Sequence, residues 1–269
     1  MERFRGKDHS GEVLVRHLLN HTSGIADYYE DRPISGKPIK KLIIEEPDRF
    51  WKPEDTIDFT RRNQKAVSAP GKKFHYSDTG YNLLGKIIEN ITEKHFHENL
   101  HDEIFNPLGM DDSCLFHFSV PKNKSPHKIA DIFIGDHEVS AYRSVTIDWA
   151  GGGVVSTTED LLRFHSALVK NVLIKRETFD LCGNDFGKFG PGMYYGYGIL
   201  FLDIGRMTFI LPKKLNMWGN FGSIGAYMFY NPAYDVYIIG SFNHSAYVRK
   251  QVFFLIDVIR MLSKALARE

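Results

Sequence analysis

Residues 69–89 read APGKKFHYSDTGYNLLGKIIE. The Pro70–Gly71 pair marks a turn. Phe74, His75 and Tyr76 leave it as a brief extended piece. Leu84, Ile87, Ile88 and Ile91 then fall at i, i+3, i+4 and i+7. That spacing predicts a helix with one apolar face. A turn, a short extended segment carrying Tyr-Ser-Asp and a strong helix follow one another here within 21 residues.

Upstream, residues 13–24 (VLVRHLLNHTSG) predict a short helix stopped at Gly24. Residues 25–70 carry Pro33, Pro38, Pro47 and Pro53 and suit loops and short helices. Downstream, a second helix is expected from about Thr92 to Phe105, with Phe96, Leu100 and Ile104 as its stripe. It ends at Asn106-Pro107-Leu108-Gly109. Residues 119–128 predict a Lys- and Pro-rich loop, and residues 150–153 (AGGG) a flexible turn. Ser156-Thr157-Thr158-Glu159 reads as a capping box opening a helix to about Lys170.

After Gly190 the pattern turns to β-branched and aromatic residues. Strands are expected at 195–202, 206–211, 226–230 and 236–242, with connections short enough for antiparallel neighbours. An amphipathic helix over 248–267 closes the chain.

The composition is that of a globular protein. Lys+Arg number 34 and Asp+Glu 33, a formal net charge of +1, and 43% of residues are hydrophobic. The length allows one large domain or two modest lobes. A balanced charge gives no sequence-wide case for nucleic acid or an anionic membrane as partner. Cys114 and Cys182 make no disulfide framework and no zinc knuckle, so each is expected as a free buried thiol. The opening residues MERFRGKDHSGEV have no apolar core of a secretory signal. The most apolar stretch, 252–267, is broken by Asp257, Arg260 and Lys264, so no membrane span is expected.

Two short motifs invite chemistry. His97-Glu98-Asn99-Leu100-His101 has the H-E-x-x-H spacing that puts two zinc ligands on one helical face. The apolar stripe runs beside that face, which is shared with Glu93 and Lys94, and no third ligand is obvious; surface histidines are the expectation. The S-x-x-K pattern, which sets a lysine base one turn from a serine nucleophile, occurs at Ser119–Lys122 and Ser125–Lys128. Both copies lie in the proline-rich loop, and a solvated basic loop is expected there.

A longer, ordered series is more informative. HLLNHTSG (17–24), APGKKFHYSDTGYNLLGKIIE (69–89), IFNPLGM (104–110), GGGVVSTTEDLLRF (151–164) and WGNFGSIGAYMFYNPAYDVYIIGSFN (218–243) follow in order. From about Val13 onward the chain resembles the beta-lactamase-related serine hydrolases: class C beta-lactamases, D-alanyl-D-alanine carboxypeptidases of the penicillin-binding type, and esterases similar to them. The resemblance implies an α/β (α+β) fold of the beta-lactamase/transpeptidase type in a single domain over 1–269. A mainly helical lobe is expected over about 13–190, and an antiparallel sheet with its terminal helix over about 191–269.

The resemblance also implies a serine nucleophile with a lysine in S-x-x-K, a Tyr-x-Asn second motif and a Lys/His-x-Gly third motif. Tyr76 fits the second-motif tyrosine, whose phenol relays a proton between nucleophile and leaving group. Asp78 stands where the family usually has Asn; a carboxylate cannot donate an amide hydrogen bond but could pair with the lysine. The third motif maps onto Asn220-Phe221-Gly222, without the cation. The backbone N–H of Ser223 would be one oxyanion donor whatever its side chain. Gly222 and Gly225 would let substrate approach the strand. Tyr76, Asp78 and the 220–223 segment are expected to line one cleft.

The family's S-x-x-K lies on a helix well before HTSG. Here 20 residues precede His21 and contain no S-x-x-K, and Ser23 reads as a turn or cap residue. The chain therefore resembles the family without its nucleophile segment and first strands. No serine in it is assigned as nucleophile, and the chain alone is expected to be inactive. By resemblance the intact parent cleaves an amide or ester (a D-alanyl peptide, a beta-lactam or a small ester) through an acyl-serine, with no cofactor. A non-catalytic binding or sensor module on the same fold competes with that reading, and a zinc peptidase built on His97, Glu98 and His101 is a distant third. The implied partner is a small-molecule or peptide substrate. Family members are often extracytoplasmic, and exposed sheet edge predicts self-association.

Overall fold

The computed structural model describes residues 3–4, 6–123, 128–207 and 212–266. It is a mixed α/β protein whose chain forms two compact units, Met1–Ile129 with Val139–Phe164, and Ala130–Glu138 with His165–Glu269.

The first unit is mainly helical. It opens with a two-residue antiparallel pair, β1 (Arg3–Phe4) and β2 (Lys7–Asp8). Helices α1 (Val15–Leu19), α2 (Ile39–Glu45) and α3 (Pro53–Asn63) follow. Pro53 opens α3, where its missing N–H costs nothing. Helix α4 (Asp78–Thr92) is the spine of the unit. Ser77 caps it, its Oγ accepting from the Gly80 amide at 3.3 Å.

The buried face of α4 differs from the one its pattern predicts. Ile88 is 38% exposed and Ile91 77% exposed, whereas Thr79, Asn82 and Gly85 are buried. The reason is a polar seam and a missing Cβ. The Thr79 and Thr60 hydroxyls are 3.0 Å apart, and Asn82 donates to Thr56 Oγ1 at 2.8 Å, which ties α4 to α3. A Cβ on Gly85 would lie 2.7 Å from the Trp149 ring. Only glycine lets that buried indole reach the helix.

The predicted single helix to Phe105 is instead α5 (Phe96–Leu100), a π turn over His101–Phe105 and the helical turn α6 (Asn106–Leu108). Strand β3 (Cys114–Leu115) pairs with β6 (Val154–Val155). Between them in sequence, β4 (Phe133–Ile134) and β5 (His137–Glu138) form a hairpin of the second unit. The Ala150–Gly153 stretch is no flexible turn. It lies largely in α7 (Trp149–Gly152), held by the buried Trp149. Helix α8 (Thr158–Val169) is capped by Thr157, whose Oγ1 accepts from the Asp160 amide at 3.2 Å. Ser156 instead pairs with Ser113 Oγ at 2.7 Å.

The second unit is built on a six-stranded antiparallel meander, β7 (Gly187–Gly190), β8 (Met193–Tyr195), β9 (Leu200–Leu202), β10 (Met217–Phe221), β11 (Ala226–Asn231) and β12 (Val236–Ser241). The helices α9 (Arg176–Cys182), α10 (Ile204–Met207) and α11 (Lys250–Leu266) belong to the same unit. The predicted strand 195–202 splits in two at Gly196–Gly198. Gly198 has φ +79°, and a Cβ on Gly196 would meet the Cys182 carbonyl oxygen at 1.8 Å. Residues 206–207, expected in a strand, lie in α10, and 208–211 fall outside the described residues. Strands β11 and β12 stand where their β-branched and aromatic pattern puts them. Phe229 is fully buried in the sheet, and Leu255 and Ile259 are the buried ridge of α11. Truncating such a residue to alanine costs about 3–5 kcal/mol for Phe and 2–5 for Leu or Ile.

Candidate active site

The HTSG run and the Tyr-Ser-Asp run fold as a pair of touching loops. Gly24 accepts from the Val67 amide at 2.8 Å, and Thr22 O accepts from the Gly71 amide at 2.8 Å. His21 closes the pair. Its carbonyl accepts from the His75 amide at 2.7 Å and its Nδ1 from the Ser77 amide at 3.0 Å. Ser77 Oγ donates to Ala26 O at 3.1 Å. The His21 ring lies against Tyr76, centroids 4.3 Å apart, and stacks on Tyr81 at 5.1 Å. Burial holds this imidazole far down, to about 3, with His75 adding to the effect. It is therefore neutral, as an acceptor at Nδ1 must be.

Three carboxyl groups sit around the start of α4. Asp27 Oδ1 accepts from the Tyr29 amide at 3.0 Å and the Asp78 amide at 3.3 Å, while its Oδ2 is buried with no hydrogen-bond partner. Burial pushes Asp27 up to about 6, against the pull of those amides. Burial and then Asp27 push Asp148 to about 6 as well. Asp78 keeps some open surface, yet burial and the charges of Asp27 and Asp148 drive it well above the usual carboxylate range. A hydrogen bond from the Tyr76 side chain pulls the other way. Among the described residues no lysine or arginine pairs with any of the three. Burial and like charge thus favour the protonated form of Asp78 over its ionised form, and a protonated carboxyl, unlike an ionised one, can donate a hydrogen bond.

Beside this cluster, Asp31 Oδ2 meets His75 Nε2 at 2.7 Å and accepts from the Asp27 amide at 2.8 Å. Burial would raise Asp31, but these bonds hold it below the ordinary value. Tyr28 is fixed by its hydroxyl on Ile147 O at 3.0 Å.

Asn220, Gly222 and Ser223 belong to the second unit. Asn220 lies within the paired stretch of β10, opposite Met228, and is committed to structure: Nδ2 donates to the Tyr195 hydroxyl at 3.2 Å and Oδ1 accepts from the Phe221 amide at 3.0 Å. The Gly222 amide donates to Ala226 O at 2.7 Å, and Gly225, at φ +79°, donates to Gly222 O at 3.1 Å. These bonds form the turn into β11. Ser223 is exposed at its tip, and among the described residues its N–H has no acceptor.

The other motifs are absorbed locally. Glu98 Oε2 accepts from the His95 amide at 2.7 Å as part of the α5 cap, and His101 Nε2 lies 3.1 Å from Ser119 Oγ. His97 stacks on His95 at 5.4 Å. No group of three or more His, Cys, Asp or Glu among the described residues is arranged to hold a metal. Ser119 Oγ also accepts from the Leu115 amide at 3.0 Å, and Lys122 faces Asp111 at 3.1 Å rather than Ser119. Ser125 lies outside the described residues. Cys114 and Cys182 are free and buried, and burial raises both thiols.

The family model described as Beta-lactamase matches residues 4–252. The chain belongs to the beta-lactamase family. Among curated relatives, it is 27% identical over 176 residues to penicillin-binding protein 4* of Bacillus subtilis (strain 168), covering 61% of this chain and 37% of that protein. It is 31% identical over 99 residues to a D-aminopeptidase of Gluconobacter oxydans (strain 621H), 37% of this chain and 17% of that protein. The chain thus spans well under half the length of these relatives. Its fold is similar to that of a D-stereospecific amidohydrolase from Streptomyces sp., with a TM-score of 0.70, 23% identity, and 87% and 68% of the two chains covered. No helix among the described residues is long and apolar enough to cross a membrane.

Reading the sequence misses Asp27, Asp148 and the role of His21. Asp27 follows HTSG by three residues and Asp148 directly precedes Trp149. Each is an isolated acid, and nothing in its neighbours tells that the fold gathers it beside Asp78. His21 was inside a quoted motif, and its signal was the motif itself.

Proposed function

We propose that this chain carries the proton-relay and oxyanion halves of a serine amide hydrolase. The substrate class is a D-amino-acid amide or D-alanyl peptide, with beta-lactams and small esters as further acyl donors. The names of the D-aminopeptidase and penicillin-binding relatives support that class. The observation that carries the reading is the setting of Tyr76: gripped by His21 and hydrogen-bonded to a carboxyl of the Asp27–Asp78–Asp148 cluster. In the reaction a serine oxygen attacks the amide carbonyl, the amine leaves with a proton, and water releases the acid from the acyl-serine. Tyr76 passes the proton from the serine to the leaving nitrogen. Asp78, whose protonated form is favoured by burial and its acidic neighbours, donates to the substrate where an asparagine amide would. In the second unit, the Ser223 N–H is the candidate oxyanion donor. Ser119 is not assigned as the nucleophile, because the lysine of its S-x-x-K pattern, Lys122, faces Asp111 at 3.1 Å.

A binding module is the second reading, favoured by Asn220. It replaces the expected cation and spends its side chain on Tyr195. Incubation with a fluorophosphonate and a beta-lactam, followed by intact-mass spectrometry, separates the two. The chain as given is expected to show no adduct, while a fusion that adds an S-x-x-K helix from a relative is expected to take one equivalent and to lose about 10²–10⁴ in turnover on Tyr76→Phe. A stoichiometric adduct on Ser119 would sink the assignment of Tyr76.

A further inference from the structure

We infer that His21 is a positioning residue for the Tyr76 phenol. The inference rests on the relay role proposed for Tyr76, but its structural part stands by itself. One residue grips the chain on both sides of Tyr76: the His75 amide donates to its carbonyl at 2.7 Å, and the Ser77 amide donates to its Nδ1 at 3.0 Å. Its ring packs on the Tyr76 ring at 4.3 Å, tilted 30°. Position, backbone direction and ring plane of the phenol are thus set together.

The grip has chemical requirements. Nδ1 must accept, so the ring proton sits on Nε2 and the imidazole is neutral. Burial to 1% exposure keeps it so. The backbone must also turn into the left-handed region, and His21 has φ +56°. Asn tolerates that region and offers an acceptor Oδ1 close to where Nδ1 stands, but it has no ring. Phe offers the ring and no acceptor. The two functions of His21 can therefore be removed one at a time. Tyr81, stacked on the same imidazole at 5.1 Å and hydrogen-bonded to Leu19 O at 2.9 Å, backs the ring.

The test uses the full chain with 13Cζ-labelled tyrosine, the Tyr76 signal being identified by its loss in Tyr76→Phe. His21→Asn is expected to move the Tyr76 signal and its titration while leaving Ser77 amide exchange within about twofold of the parent. His21→Phe is expected to speed Ser77 amide exchange at least tenfold. The Tyr28 signal, anchored on Ile147 away from His21, should stay fixed in both. General loosening would move Tyr28 as well, and that result overturns a positioning role. So does an unchanged Tyr76 signal in His21→Asn. If His21→Phe does not fold, His21→Asn alone decides. If the Tyr76 signal moves as expected while Tyr76→Phe of an active fusion with a relative's S-x-x-K helix keeps full turnover, the positioning stands and the relay reading falls.

Discussion

A Cβ placed on Gly24 would lie 2.1 Å from the carbonyl oxygen of Ser68. The two residues are the seam between the HTSG loop and the segment leading to Tyr76. Gly24 also sits at φ +77°, where L side chains are strained. The glycine of HTSG is therefore demanded twice, by conformation and by space.

Gly24→Ala should destabilise the protein by about 3 kcal/mol or more, from the left-handed backbone and the backbone clash together. Urea unfolding measures it. A loss below about 1 kcal/mol would mean that the two loops part easily and that the seam does not fix Tyr76.

Asp148 should stabilise the fold when its charge is removed. Its folded pKa is raised from 3.8 to about 6. The folded state thus holds a proton that the unfolded chain gives up, and stability is lost as pH rises from about 4 to 6. Above that range the loss persists. Asp148→Asn should raise stability by about 1–3 kcal/mol at pH 7.5 and leave it nearly unchanged at pH 4. Equal gains at both pH values would show that packing, not ionisation, is responsible.

His165 acts with the opposite sign. It is fully buried, among the described residues neither ring nitrogen has a hydrogen-bond partner, and its ring centroid lies 4.6 Å from that of Trp218 and 5.5 Å from that of Tyr237, both near-perpendicular. Burial lowers it from 6.5 to about 4. The unfolded chain binds the proton first, so stability falls as pH drops from about 6.5 to 4, by about 3 kcal/mol in all. In His165→Leu that slope should flatten. Stability curves of parent and variant that stay parallel between pH 7 and 4 would refute the assignment.

These residues also show what could be seen in the sequence. Periodicity locates α4 and α11, a capping motif locates α8, and β-branched and aromatic runs locate β11 and β12. The buried face of α4 was hidden, because its seam is made by Thr79, Asn82 and Gly85 rather than by its isoleucines. Strand β10 was hidden because Gly219 and Asn220 weaken its β pattern. Its register between β9 and β11 requires that glycine, since a Cβ there would meet Met228 O at 1.8 Å. Tyr76 and Asp78 are proposed from their motif. Asp27 and Asp148, which set the charge state of Asp78, are neighbours only after folding.

The last prediction concerns association. On α11, Phe253 is 69% exposed and Met261, two turns on, 68% exposed. Buried Leu255 and Ile259 face the other way, so this stripe has no cover within the second unit. In the same unit β12 ends the sheet, and among the described residues no strand pairs with its outer edge. Exposed aromatic and thioether surface favours burial by about 25 cal/mol per Å2, and a bare edge offers unpaired amides to another chain. The chain is expected to elute from a sizing column as concentration-dependent oligomers. Phe253→Glu with Met261→Glu should shift the population toward monomer without lowering the melting temperature, because neither side chain is packed. A monomer at every concentration would show that the stripe and the edge are tolerated in water. Oligomers unaffected by the double substitution would place the contact on the β12 edge instead.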